Sequence, residues 1–262
     1  MTPIALITDF GIADWYAGEM KGAMLSACPG ITIIDITHHI PPGDIRAAAF
    51  TLAACFRTFP EGTVFCVVVD PGVGSGRKAI AADTGNYLLV GPDNGALSWA
   101  LSLTPPVSVR TIDNSDYFHR ADVSATFHGR DIFGPVAAHL AKGIPFVAVG
   151  EETAEYVRIP FPQPVVTDVS IAAEVLAVDR FGNAVTSIGA ALLSQLKKET
   201  VKLRFRGVEH IIAFGGYFQS VPHNEPLCYL GSAGYLEIGI NGGSAAKSLG
   251  LTTGDPIELL LQ

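Results

Sequence analysis

Residues 66–77 read C-V-V-V-D-P-G-V-G-S-G-R. They continue a run of apolar, mostly β-branched residues that begins at Val64, the pattern of a strand covered on both faces. The run breaks at Asp70-Pro71-Gly72. Open α/β sheets hold their ligands at the carboxyl ends of such strands, so Asp70 stands where chemistry is expected. Gly72, Gly74 and Gly76 let the following loop fold closely against a ligand. Arg77 then brings a cation able to swing back toward Asp70. In isolation, a D-P-G-x-G loop reads more simply as a tight turn with a surface ion pair. Arg77 occupies the place of the third glycine in a dinucleotide fingerprint, and no Gly-Lys-Ser/Thr follows, so the loop is neither that fingerprint nor a P-loop.

Outward from this stretch, strands and helices alternate. Residues 4–8 read as a first strand that ends at Asp9-Phe10-Gly11. Asp14 is placed to cap a helix over 16–27, which Pro29-Gly30 stops. A second strand over 31–37 runs into His38-His39, and Asp44 is placed to cap a helix over 45–56. The alternation predicts a parallel sheet covered on both faces. Residues 79–83 and 87–90 flank Thr84-Gly85-Asn86 as a hairpin. A short helix near 97–101, an irregular polar stretch over 113–122 and an apolar helix over 132–141, with Pro135 in its first turn, complete this part. Pro160, Pro162 and Pro164 mark a linker, so the domains are expected at 1–163 and 164–262. Beyond it, seven strands are expected at 171–178, 184–187, 201–205, 210–214, 227–230, 235–240 and 257–261, with short helices at 190–196 and 244–249. Seven short strands in this length predict a small barrel or sandwich.

Composition narrows the class. In 262 residues, 48% are hydrophobic and only 16% charged, enough to bury a large core. A net charge of −8 disfavours nucleic acid and other polyanions and suits a small cationic ligand. The apolar runs fall short of a membrane span, and the N-terminus has no basic region ahead of its apolar residues. The four cysteines stand far apart in apolar surroundings and read as reduced core residues. A cytoplasmic enzyme is the expected class.

Several side chains are candidates for chemistry. Adjacent residues of a strand face opposite ways, so His38 and His39 cannot share a metal ion, and neither H-E-x-x-H nor C-x-x-C occurs. They read as a polar strand end, and no metal is expected. His128 lies between Phe127 and Gly129 ahead of a helix, whose dipole disfavours the cationic imidazole. It gains weight only if Asp70 and Arg77 lie beside it. Asp9 could accept ribose hydroxyls or serve as an ordinary turn carboxylate. Asp179-Arg180-Phe181-Gly182-Asn183 offers a ring to stack on and an amide to bond, or simply a turn. The loops 231–234 and 241–244 expose backbone N–H groups suited to a carboxylate or a purine edge. Together these residues describe a two-domain protein with loops fit for a nucleoside-like ligand.

Taken in order, the motifs resemble the S-adenosyl-L-methionine (SAM) hydroxide adenosyltransferases, relatives of the fluorinating and chlorinating enzymes that attack the same molecule. The likeness covers T-D-F-G at 8–11, D-I-T-H-H-I at 35–40, V-D-P-G-V-G-S-G-R at 69–77 and G-P-D-N-G at 91–95. It continues through T-F-H-G-R-D-I-F at 126–133, D-R-F-G-N at 179–183 and the glycine-rich run at 231–245. The resemblance implies an N-terminal Rossmann-like α/β domain, a C-terminal small β-barrel domain, and a homotrimer with active sites between neighbouring subunits. It implies hydrolysis of SAM, as substrate and without any cofactor, to adenosine and L-methionine. It implies catalytic roles for Asp70, Arg77 and His128, a set the halogenating relatives lack. Asp9 matches the ribose position. Thr126 and Phe127 belong to the same motif as His128 and are expected at the substrate. Asp179 and Ser232 match positions for the methionine amine and carboxylate, and Phe181 and Asn183 match the adenine site. Asn241 and Gly242 are expected beside them. Where some halogenases carry arginine after the serine, Ala233 stands here, which shifts the carboxylate grip toward backbone N–H groups. The competing functions are a SAM-dependent halogenase and a non-catalytic SAM- or adenosine-binding protein.

Overall fold

A computed structural model describes residues 1–193 and 199–261 of the chain. They form two compact units, Met1–Pro160 and Phe161–Gln262.

The first unit is built on strands β1 (Ile4–Thr8), β2 (Ile33–Thr37), β3 (Val64–Val68), β4 (Ala79–Asp83), β5 (Leu88–Pro92) and β6 (Ser108–Thr111). Its helices are α1 (Tyr16–Ala27), α2 (Ile45–Cys55), α3 (Ser98–Leu103) and α4 (Gly134–Lys142). The sheet order is β2-β1-β3-β5-β4-β6. The first four strands in that order pair in parallel, as the alternation predicts, but β4 runs antiparallel to both β5 and β6. The sheet is therefore mixed. The turn at Thr84-Gly85-Asn86 is too short for a parallel crossover, so β4 and β5 can only form a hairpin. β6 was not expected from its sequence because it is a short edge strand with a polar face.

Each buried strand splits its side chains between two cores. Ile4 and Leu6 of β1, with Cys66 and Val68 of β3, pack on the side of Met20, Met24 and Val136. Ala5, Ile7, Phe65 and Val67 pack on the other side, with Leu52, Phe56 and Leu101. Such two-sided burial explains why these strands read as unbroken apolar runs. Asp44 caps α2 by accepting the Ala47 N–H at 2.9 Å. Asp14 makes no capping bond, because the residue ahead of α1 is Trp15, already at helical backbone angles. The expected helix over 132–141 begins earlier, as a π-helical turn at Gly129–Phe133 that feeds α4. Such turns shift the register of side chains and often mark functional sites.

In the second unit, β7 (Val165–Val166) flanks a ring of β8 (Ser170–Val178), β9 (Ala184–Gly189), β10 (Thr200–Phe205), β11 (Val208–Phe214), β12 (Pro226–Leu230), β13 (Tyr235–Ile240) and β14 (Pro256–Leu260). The order β14-β10-β11-β12-β13-β9-β8 closes through β8 and β14. The seven strands read from the sequence thus form a seven-stranded barrel. Its interior is lined by Val175, Leu203, Ile212, Cys228 and Ile238, among others. β10 is buried at every second residue, as a barrel wall requires. Short helices α5 (Ala190–Leu193) and α6 (Ala245–Leu249) follow β9 and β13. The expected continuation of α5 to 196 lies outside the described residues.

Candidate active site

The topology of the first unit places two carboxylates side by side. From β1 the chain crosses through α1 to β2 on one flank, then through α2 to β3 on the other. α1 and α2 cover opposite faces, so the order reverses at β1 and β3, the crevice where open α/β sheets bind ligands. Thr8 and Val68 pair in register at the carboxyl ends of the two strands. Asp9 follows Thr8 directly and Asp70 follows Val68 after Val69, and both line one cavity of about 300 Å3, together with Thr126, Phe127 and His128.

Arg77 reaches back across the glycine loop. Its Nε lies 2.9 and 3.0 Å from the two Asp70 carboxylate oxygens, and Nη2 also donates to Oδ2. Both side chains are nearly buried, at 11% and 6% exposure. The guanidinium also lies over the Phe133 ring, 5.1 Å from its centroid, and Nη2 meets His128 Nδ1 at 2.8 Å. The three side chains that sequence reasoning could not bring together therefore touch, with Arg77 in the middle.

This contact settles the state of the imidazole. A guanidinium only donates, so Nδ1 of His128 must accept. The proton of the neutral ring then sits on Nε2, which has no protein partner among the described residues. Burial and the charge of Arg77 lower the His128 pKa, against opposing effects of Asp70 and Asp131. The sequence suggests the helix dipole as the cause of a neutral histidine. Burial and Arg77 supply it here.

Two loops hold this arrangement. Gly74 has φ +76° and backs onto the Ala125 carbonyl so closely that a side chain would collide with it. The loop after β3 is thus seated against the segment carrying Thr126, whose hydroxyl meets that of Ser124 at 3.2 Å. Gly129 lets Phe10 approach: a Cβ there would lie 2.9 Å from Phe10 Cζ. Phe10 and Tyr16 meet the Phe127 ring edge-on at 5.5 and 5.2 Å. Asp9 accepts the Gly43 N–H through Oδ2 at 2.8 Å, and its other oxygen has no protein partner among the described residues.

In the second unit, Asp179 organises its own turn. It accepts the N–H groups of Phe181 and Asn183 at 2.9 and 2.8 Å, and the Asn183 side-chain amide at 2.8 Å. The Phe181 ring is left 77% exposed. It borders a concavity of about 530 Å3 with Asn183, Phe218, Ile240, Gly242 and Gly243. Asn241 donates its side-chain amide to the Val221 carbonyl at 2.8 Å, a structural bond. Ser232 is exposed in the turn closed by Gly231 and Gly234.

Comparison with known proteins fits both units. The SAM hydroxide adenosyltransferase N-terminal domain matches residues 4–150, and the corresponding C-terminal domain matches residues 173–258. The chain belongs to the SAM hydroxide adenosyltransferase family. It is 39% identical to the (R)-S-adenosyl-L-methionine hydrolase of Thermus thermophilus, over 99% of this chain and all of that protein. A fluorinase from Actinoplanes sp. is more distant, at 27% over 96% of this chain and 95% of the fluorinase. The crystal structure of an uncharacterized conserved protein from Thermotoga maritima superposes with a TM-score of 0.95 at 38% identity, covering 98% of this chain and 99% of the other.

Against this family background, three residues escape a motif-based reading. Phe218 faces the same concavity as Phe181. Tyr229 and Glu237 stand opposite each other on β12 and β13, and the phenol donates to the carboxylate at 2.7 Å. Burial raises the Glu237 pKa, and Asp179 adds to the rise. A lone glutamate between the buried Leu236 and Ile238 was the available signal. Phe218 had none, as it follows a plain Gly-Gly-Tyr loop. His38, in turn, is buried against the Thr8 hydroxyl at 2.8 Å, while His39 is exposed.

Proposed function

We propose that this chain hydrolyses S-adenosyl-L-methionine, in its (R)-sulfonium form, to adenosine and L-methionine. The observation that carries the reading is the Arg77 guanidinium held between Asp70 and His128, beside a cavity that Asp9 also lines. The likeness to the Thermus thermophilus hydrolase supports the substrate and its sulfur configuration.

In this reading the free oxygen of Asp9 accepts a ribose hydroxyl. Phe181 offers its exposed face to adenine, with Asn183, Asn241 and Gly242 along the ring edge. Asp179 and Ser232 take the amine and carboxylate of the methionine part, and Thr126 and Phe127 wall the ribose. Water-derived hydroxide attacks C5′ opposite sulfur. The new C5′–O bond forms as C5′–S breaks, and the electron pair of the broken bond stays on sulfur as a neutral thioether. No acid is needed at the leaving group. The proton lost in making hydroxide from water goes to solvent.

The three polar side chains act as a clamp for an oxygen anion. Asp70 is spent on Arg77, and Nδ1 of His128 accepts from Arg77. His128 therefore donates its Nε2–H to the attacking oxygen, and the guanidinium charge favours hydroxide over water nearby. Opposite charges are annihilated at the transition state, which a poorly hydrated cavity favours. The reaction needs no cofactor. Homotrimeric assembly and a cytoplasmic location complete the proposal, and the mass of the purified protein by light scattering tests the former.

The direct test incubates purified protein with each sulfonium epimer, with chloride or fluoride present, and separates the products. Equal amounts of adenosine and methionine, formed faster from the (R) form, are expected. A 5′-halo-adenosine product would make the chain a halogenase. Survival of both epimers beside bound protein would make it a binding protein.

A further inference from the structure

Asp131 is fully buried and touches none of the reacting groups in the reading above. It nevertheless gathers the whole segment that delivers them. Its backbone carbonyl accepts the His119 N–H at 2.9 Å, and its own N–H donates to the Phe127 carbonyl at 3.2 Å. Its carboxylate accepts the Ser124 N–H at 2.8 Å. One residue thus ties down the segment near its start, in its middle and next to His128.

The carboxylate is itself locked in place. Arg130 donates to both oxygens, Nε to Oδ1 at 2.7 Å and Nη2 to Oδ2 at 3.0 Å, and Arg120 pairs with Oδ1 at 3.6 Å. The Arg130 guanidinium also covers the Phe127 ring at 5.3 Å and pairs with Glu19 of α1 at 3.5 Å. A buried carboxylate is tolerable only when so paired. Asparagine at this position would keep the shape but turn a donor toward the Ser124 N–H or toward Arg130, so one of the two ties must break.

We infer that Asp131 is a positioning residue for the hydrolysis proposed above, setting where Thr126, Phe127 and His128 stand. It does not touch substrate. Its effect reaches the reaction through the segment and through its charge. The charged groups that act on the His128 ring are Arg77 and Asp70 from the loop after β3 and Asp131 from the π-helical turn. Of these, Asp131 and Asp70 favour the protonated ring, so losing Asp131 makes His128 harder to protonate.

The test compares Asp131→Asn with the wild type in two ways. The first is turnover of SAM, with kcat counted per adenosine-binding site so that misfolded protein drops out. kcat should fall by about 10², the cost of an ångström-scale misplacement. KM should rise by no more than about threefold, because of the substrate contacts only Thr126 and Phe127 lie on the segment, while Asp9 and the groups of the second unit do not. The acid limb of the rate profile should move to lower pH. The second is titration of the His128 ring by NMR, which needs no turnover and should show its pKa lowered in the variant. Wild-type kcat per site, or a fall in kcat with both the acid limb and the ring titration unmoved, would overturn the inference, the latter marking a purely structural residue. A wild type that leaves every SAM epimer intact would instead defeat the hydrolase reading. The ring titration would then decide alone whether Asp131 sets His128.

Discussion

Arg77 can only donate, and that property sets the protonation of its neighbour. With Nδ1 of His128 accepting from Arg77, the imidazole presents a donor at Nε2, which a glutamine side chain can partly imitate. His128→Gln should therefore retain about tenfold more activity than His128→Ala, roughly the worth of one hydrogen bond. A general-base role for the ring would leave both variants equally slow in a steady-state assay. Arg77→Lys keeps the charge but loses the fork that spans Asp70 and His128. Its kcat should fall by about 10²–10⁴, by analogy with the loss of a general acid or base, while adenosine affinity measured by calorimetry stays close to wild type. The sequence made each of these residues a candidate by its place at a strand end or helix start. What it could not supply was their contact, since Arg77 and His128 are 51 positions apart and no spacing rule relates two loops. Asp179 was legible only in part: its motif reads either as a ligand group or as a turn, and the structure shows much of its carboxylate used in holding its own turn.

Among the elements, the seating of the loop after β3 against the 124–128 segment decides whether the clamp exists. Gly74 makes it possible, with φ +76° and the Ala125 carbonyl where a side chain would be. Gly74→Ala should destabilise the protein by roughly 1–2 kcal/mol from the left-handed backbone alone. It should also lower kcat, because the carbonyl must move and the segment with it. Thermal unfolding and steady-state kinetics on the same preparation check both. Elements with strong local signals were readable: β1, β3, the Asp44 cap and the hairpin of β4 and β5. Those set by tertiary context were not. β6 gains its place from the edge of β4. The π-helical turn arises where Gly129 is packed against Phe10, and Asp14 lost its cap to a chain path that enters α1 at Trp15.

For the molecule as a whole, seven strands at short spacing left a barrel or a sandwich open and the family resemblance implied the barrel; pairing of β8 with β14 closes it, which leaves the ring no unpaired edge. The antiparallel part of the first sheet was legible only as a hairpin, and its place within the sheet was not. Charge gives a further expectation. His38, His128 and His139 all have pKa values lowered from 6.5, in each case chiefly by burial. Between the folded and unfolded values the unfolded chain binds more protons, so stability should fall as pH drops below about 6.5. Glu237, with a raised pKa, works the other way, losing stability as pH rises above its unfolded value of 4.5. A melting temperature that declines from pH 7 toward pH 5.5, and declines less in His38→Gln, is the expected record. The central claim, that the clamp places a solvent-derived oxygen at C5′, is met most directly by turnover of SAM in water labelled with heavy oxygen. Label in the 5′-hydroxyl of adenosine, and none in methionine, is the predicted result. Unlabelled adenosine, or label in the methionine carboxylate, would contradict it.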